Sequence, residues 1–123
     1  MTAARREVLI TGGGRGIGRA IALRFAEAGA RVFLNFFVNH EAAEKTARDV
    51  ELAGGAATLI QADVKEPEEI RRMFAGIREA AGHLDVLVTA EAVADVVFFL
   101  ASPAAQSIQG QIIVADGGYS LLA

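Results

Sequence analysis

The sequence predicts an α/β fold, a doubly wound parallel sheet of about five strands with helices on both faces. Three observations predict it. Short apolar runs alternate with stretches whose apolar residues recur at three- and four-residue steps, the rhythms of strand and helix in turn. Glycines stand where those stretches meet. Each run is separated from the next by enough chain for one helical crossover, as parallel pairing requires.

The elements follow in order. Val8, Leu9 and Ile10 are too short a run for a helix and suit a buried parallel strand. Gly12, Gly13, Gly14 and Gly16 come next, where the backbone turns and can approach a ligand closely. Ile17, Ala20, Ile21, Phe25 and Ala28 then mark the expected apolar face of a helix that Gly29 ends. Val32 to Phe36 is the second strand. Asn39 can cap a helix from about His40 to Ala53, closed by Gly54 and Gly55, with a thin apolar face of Ala43, Ala47 and Val50. Ala57 to Ala62 reads as the third strand and runs into Asp63-Val64. Pro67 opens a helix with Glu68 and Glu69 in its positive first turn. Ile70, Met73, Phe74, Ile77 and Ala81 line one face of it, and Gly82 stops it. Leu84 to Val88 is the fourth strand. A helix from about Ala90 to Ala101 follows, then a break at Ser102-Pro103 and a last strand, Gln111 to Ala115. Right-handed crossovers give the order 3-2-1-4, and the last strand is expected beside the fourth, making 3-2-1-4-5.

The chain has 123 residues, and residues 1–123 read as a single domain. Apolar residues make up 53%, enough to build a core rather than a disordered chain. A net charge of −3 without a basic block argues against a nucleic-acid partner. There is no cysteine, hence no disulfide, thiol catalysis or thiolate-bound metal. The opening MTAARRE lacks the apolar stretch of a signal peptide, and no run approaches the ~20 residues of a membrane span. The expectation is a cytoplasmic protein with no membrane partner.

The strand, glycine loop and helix from Val8 onward form an anion site in principle, because free backbone N–H groups and the helix dipole face a phosphate. Glycines at this spacing also serve turns that bind nothing; the strand before and the helix after are the context of a dinucleotide fingerprint. In detail, Thr11-Gly12-Gly13-Gly14-Arg15-Gly16-Ile17-Gly18 has the form TGxxxGxG. That form resembles the short-chain dehydrogenase/reductase family, whose fold is Rossmann-like. Residues 6–88 look like the first half of a family member. Within it, NFF…EAAEKTA and MFAGIREAAGHLDVLV are most like NADPH-dependent enoyl-acyl-carrier-protein and 3-oxoacyl-acyl-carrier-protein reductases. Residues 91–122 look like the family's final helix and strand, and the two blocks meet almost directly.

The resemblance implies a dinucleotide site. It places Gly12, Gly16 and Gly18 around a pyrophosphate, and Asp63 with the Val64 backbone against adenine. Asp63 read alone could equally be a strand-end cap. Arg15 stands where NADP-preferring relatives carry a base for the 2′-phosphate, although by itself it could be a solvated loop charge. NAD-binding relatives place an acid at the end of the second strand; here that residue is Phe36. Many relatives carry a second base just beyond, where this chain has Val38, Asn39 and His40. The expected cofactor is NADP, and its expected site is Gly12, Gly14, Arg15, Gly16, Ile17, Gly18, Phe36, Asn39, Asp63 and Val64.

The family's catalytic serine, its Tyr-x-x-x-Lys pair and its Asn-Asn-Ala-Gly motif are not found; Thr89-Ala90-Glu91-Ala92 stands at the last. The one tyrosine, Tyr119, is followed four places on by Ala123, so it is read as structural, and no catalytic residue is assigned. His40 and His83 lack a His or Cys partner at ligand spacing and read as surface or cap residues, so no metal site is expected. Lys45 and Lys65 read as solvated charges, and Glu91 as a first-turn helix carboxylate. The expected function is an NADP(H)-binding module shortened relative to its family. An active oxidoreductase with a site rebuilt at a dimer interface, or a scaffold needing no ligand, are the alternatives. In the helix near residues 91–101, Val93, Val96, Val97 and Leu100 form one stripe, while Phe98 and Phe99 project to either side. Those rings could be buried within the subunit; together with the resemblance they predict a homodimer through Phe98, Phe99 and the last strand.

Overall fold

A computed structural model describes residues 5–12, 16–89 and 111–114. The strands are β1 (Glu7–Thr11), β2 (Arg31–Phe36), β3 (Ala56–Gln61), β4 (Val86–Thr89) and β5 (Gln111–Val114). The helices are α1 (Gly16–Glu27), α2 (His40–Leu52) and α3 (Pro67–Ala81). All strand pairs are parallel, and the order β3-β2-β1-β4-β5 is the one the connections predict. The expected helix from Ala90 to Ala101, with Glu91, Phe98 and Phe99, lies outside the described residues, as do Gly14, Arg15, Ala115 and Tyr119.

Alternation along the strands sends side chains to two cores, as the pleat demands. Leu9, Phe33 and Leu87 meet Ile70, Met73, Phe74 and Ile77 of α3 on one face. Val8, Ile10, Val32, Leu34, Val86 and Val88 meet Ala22, Ala26 and Val50 of α1 and α2 on the other. The face predicted for α3 is therefore the buried one. Its bounds also follow the sequence signals: Pro67 sits in the first turn, and Gly82 ends it at φ 80 with its N–H donated to the Arg78 carbonyl.

The expected face of α1 needs correction. Ala20 and Ala28 are exposed, Ile21 and Phe25 are half-buried, and Ala22 and Ala26 are fully buried. The reason is close approach. A Cβ added to Gly55 would lie 2.8 Å from the Ala30 carbonyl and 2.9 Å from Cα and Cβ of Ala26, so backbone comes against backbone at that crossing. Small residues fill such a seam, and the larger side chains flank it. In α2 the buried set is Ala43, Thr46 and Val50, with Ala47 half-buried; Thr46 escapes an apolar count because its hydroxyl is polar.

At the N-terminal edge of the sheet, Glu7 is buried and takes two hydrogen bonds from Arg31, at 2.6 and 3.1 Å. Arg31 also reaches the Ala80 carbonyl at 3.2 Å, tying β2 to the end of α3.

Candidate functional site at the C-terminal edge of the sheet

A parallel sheet with helices on both faces leaves a crevice beyond the carboxyl ends of its strands, where crossovers part. Here β1, β2 and β3 end on a cleft of about 290 Å³. Gly12, Phe36, Asn39, Asp63 and Val64, five of the expected site residues, line it together. Thr11, Asn35, Phe37, Val38, Ala42, Ala62 and Lys65 complete the lining. A larger groove of about 460 Å³ lies between α3 and β3, lined by Phe33, Ile60, Met73 and Gly76, and contains none of the expected residues.

The glycine-loop end of the site is built from backbone geometry. Gly12 and Gly16 have φ of 64 and 63, in the left-handed region that an L side chain rarely adopts. Among the described residues nothing lies within 4 Å of a Cβ added at Gly16, so the space beside it is open. Gly18 is buried in the first turns of α1. Ile17 belongs to the same helix, while Gly14 and Arg15 lie outside the described residues.

The end of the cleft at the β3–α3 turn is held by hydrogen bonds from three directions. Asp63 Oδ1 accepts from the Lys65 N–H at 2.9 Å, the Asx turn of the strand-end reading, and Asp63 also faces the cleft. Its own N–H donates to Glu69 Oε1 at 2.9 Å, so the first turn of α3 clamps the Asp63 backbone. Asn35, 3% exposed, donates from Nδ2 to the carbonyls of Ile60 and Ala62 at 3.3 and 3.1 Å. Gln61 Nε2 donates to the Phe37 carbonyl at 3.1 Å, and Arg72 donates to the Gln61 carbonyl at 2.7 Å. Asn39 caps α2 as expected, its Oδ1 accepting from the Ala42 N–H at 3.2 Å. These bonds fix two walls, one from the β2–α2 turn and one from the β3–α3 turn.

The walls are mainly apolar. Phe37 and Val38, 51% and 81% exposed, stand at the cleft where a flat ring could cover them. Asp63 and Lys65 are the charged residues among its described lining. The two histidines are exposed, as expected, and each meets a carboxylate: His40 with Glu44 and His83 with Asp85, both at 3.2 Å. Among the described residues no cluster of His, Cys, Asp and Glu could hold a metal ion. No helix among them is long and apolar enough to cross a membrane. Beyond the cleft, Thr89 ends β4 in register with Thr11, fully buried, its hydroxyl without a hydrogen-bond partner among the described residues.

Asn35, Glu69 and Lys65 were not among the expected site residues. Asn35 did carry a signal, a polar residue inside the apolar run VFLNFF, since a buried amide must find partners. Glu69 in the first turn of α3 signals only a dipole-favoured acid, and its six-residue distance from Asp63 is no recognised spacing.

Comparison with known proteins agrees with this fold. The family model for short chain dehydrogenase matches residues 6–114. A 1-cyclohexenylcarbonyl-CoA reductase from Streptomyces collinus is 44% identical over 89 residues, which are 72% of this chain and 32% of that enzyme. This chain thus spans about a third of that relative's length. Among solved structures, the NADH-dependent reductase A1-R′ complexed with NAD superposes with a TM-score of 0.64 at 32% identity, covering 68% of this chain and 35% of that one. A metagenomic short-chain oxidoreductase in complex with NADP gives 0.64 at 35% identity, covering 68% and 37%.

Proposed function

Because this chain belongs to the short-chain dehydrogenase family, we propose that it binds a nicotinamide dinucleotide, NADP(H) in preference to NAD(H), along the C-terminal edge of β1 to β3. The observation that carries the reading is the meeting of Gly12, the Phe36–Asn39 turn and Asp63–Val64 around one cleft. The residues fit the cofactor. Left-handed glycines with open space beside Gly16 suit a pyrophosphate, and apolar walls ending in Asp63 suit adenine, whose amine is a donor.

The preference for NADP rests on two residues. Phe36 has no acceptor for a ribose 2′-hydroxyl, whereas the Arg15 guanidinium suits a 2′-phosphate. The solved neighbours include one complex with each cofactor, so the neighbours support a dinucleotide and the residues support the choice. A bound nicotinamide supplies hydride transfer. The chain's own residues hold the adenosine end, and its single tyrosine, Tyr119, lacks the lysine four positions on that would assist proton donation. The reading is therefore a binding module without the family's Ser, Tyr and Lys. It works in the cytoplasm, where a chain without cysteine gives up nothing to a reducing compartment. It pairs as a homodimer through Phe98, Phe99 and β5; the place of β5 at the sheet edge supports this pairing, because an edge strand has ladder groups to offer.

Calorimetric titration of the full chain with NADP and NAD tests the proposal. Saturable NADP binding is expected, with Arg15→Ala weakening NADP more than NAD. Carbonyl and enoyl substrates should give no NADPH oxidation at rates typical of reductases. Absence of binding by either dinucleotide at about 1 mM, a free energy weaker than about −4 kcal/mol, contradicts the reading. Robust turnover that survives Tyr119→Phe contradicts the absence of catalysis.

A further inference from the structure

Arg72 lies outside the cleft, on the side of α3 that lines the groove against β3. Its Nη2 nonetheless reaches the strand end, donating to the Gln61 carbonyl at 2.7 Å. The backbone leaves that carbonyl to be taken up. In a trans peptide the carbonyl and the following N–H point opposite ways. The Ala62 N–H turns to the Phe36 carbonyl of β2, so the Gln61 carbonyl faces away from β2, on the outer side of an edge strand. The same Arg72 nitrogen stands 3.6 Å from Glu69 Oε1, the oxygen that accepts the Asp63 N–H at 2.9 Å. One guanidinium nitrogen and one carboxylate oxygen thus connect Gln61 to Asp63, the residues on either side of Ala62. Gln61 carries the hold across the cleft, since its Nε2 donates to the Phe37 carbonyl on the opposite wall at 3.1 Å.

We propose that Arg72 is a positioning residue for the cleft, acting through Gln61 and Glu69 to hold the β3–α3 wall in place against the β2–α2 turn. The inference rests on the cleft being the adenosine site and adds a residue beyond its lining that keeps its walls together. Two contacts do the holding. The bond to the Gln61 carbonyl is charge-assisted and fixes the end of β3. The attraction to Glu69 keeps that carboxylate over the Asp63 N–H instead of turned to water. Arg71 separates position from charge. It carries the same charge on the same helix, but its ion pair is with the exposed Glu68, one turn away on the outer face. Both arginines would draw an anion through solvent, and only Arg72 bonds the end of β3.

The probe is 2′,5′-ADP, titrated calorimetrically into the full chain. The proteins are wild type, Arg72→Met, Arg71→Met, Glu69→Ala and the double variant Glu69→Ala with Arg72→Met. The Arg72 side chain is 61% exposed, so the methionine leaves both cores intact. Arg72→Met should weaken binding about three- to fivefold, as suits one solvent-exposed charge pair. Arg71→Met should change it by less than about twofold, since salt screens a distant charge. Hydrogen exchange of the Asp63 amide in the free chain should quicken in Arg72→Met and not in Arg71→Met. The double variant should lose less than the product of the two single losses, because Arg72 acts partly through Glu69. Wild-type affinity in Arg72→Met, equal weakening in Arg71→Met, or a double variant that loses the full product overturns the inference and leaves the cleft reading standing. Failure of wild type to bind 2′,5′-ADP overturns the cleft reading, and this inference with it.

Discussion

Asn35 and Ala62 are joined across the seam of β2 and β3, the Asn35 amide donating to the Ala62 carbonyl at 3.1 Å one residue before Asp63. A return bond runs the other way, from the Ala62 N–H to the Phe36 carbonyl at 3.0 Å. The two walls of the cleft are thus held at a fixed distance by a side chain that contributes little apolar contact. Asn35→Leu should cost about 1–3 kcal/mol, the penalty of leaving a buried carbonyl without its donor. It should also weaken 2′,5′-ADP binding by loosening the Asp63 turn. Asn35→Asp should be no better, since a carboxylate cannot donate. Urea unfolding and calorimetry check both; wild-type stability in Asn35→Leu would show that the amide is dispensable.

The Glu7–Arg31 pair predicts a marked asymmetry between single and double variants. The carboxylate side chain is 7% exposed and the guanidinium 20%. Arg31→Met strands a buried charge and should cost about 2–3 kcal/mol, below the ~3–5 of a fully enclosed pair because Arg31 keeps some solvent. Glu7→Leu combined with Arg31→Met should cost less than Arg31→Met alone. Denaturant midpoints of wild type, Arg31→Met, Glu7→Leu and the double variant decide it, and additive losses would show that the two residues act independently.

Two glycines should respond to alanine with opposite signs. At Gly55 the added methyl meets backbone of Ala26 and Ala30 at under 3 Å, with no flexible side chain to give way. Gly55→Ala should destabilise by about 1–3 kcal/mol as α1 is forced away. Gly76, inside α3, has open space around the same position. Gly76→Ala should stabilise by about 0.5–1 kcal/mol through backbone entropy. Thermal melts of both read the signs directly.

Much of this was legible in the residues, and the rest was hidden for identifiable reasons. The order β3-β2-β1-β4-β5 follows from single-helix crossovers between short apolar runs, because handedness and connection length leave few topologies. Pro67, Gly82 and Asn39 marked helix ends because each meets a local backbone need that no distant contact overrides. The buried side of α1 was not legible. Its seam is set by how near Gly55 comes to Ala26, a distance between residues 29 positions apart that periodicity does not encode. In the site, Gly12 from the glycine loop and the Asp63-Val64 pair come together at one cleft, as the sequence motifs suggest. Glu69, whose bond to the Asp63 N–H spans a turn, needed the fold to be seen.

The most direct test of the proposal that this cleft binds adenosine is a titration of the isotopically labelled full chain with 2′,5′-ADP, followed by backbone amide NMR shifts. The account predicts saturable shifts concentrated at Gly12, Phe37, Asn39, Asp63, Val64 and Lys65, with His83 and Asp85 at the opposite edge of the sheet unmoved. Shifts centred instead on Ile60, Met73 and Gly76, which line the groove between α3 and β3, or no shifts at all, would contradict it.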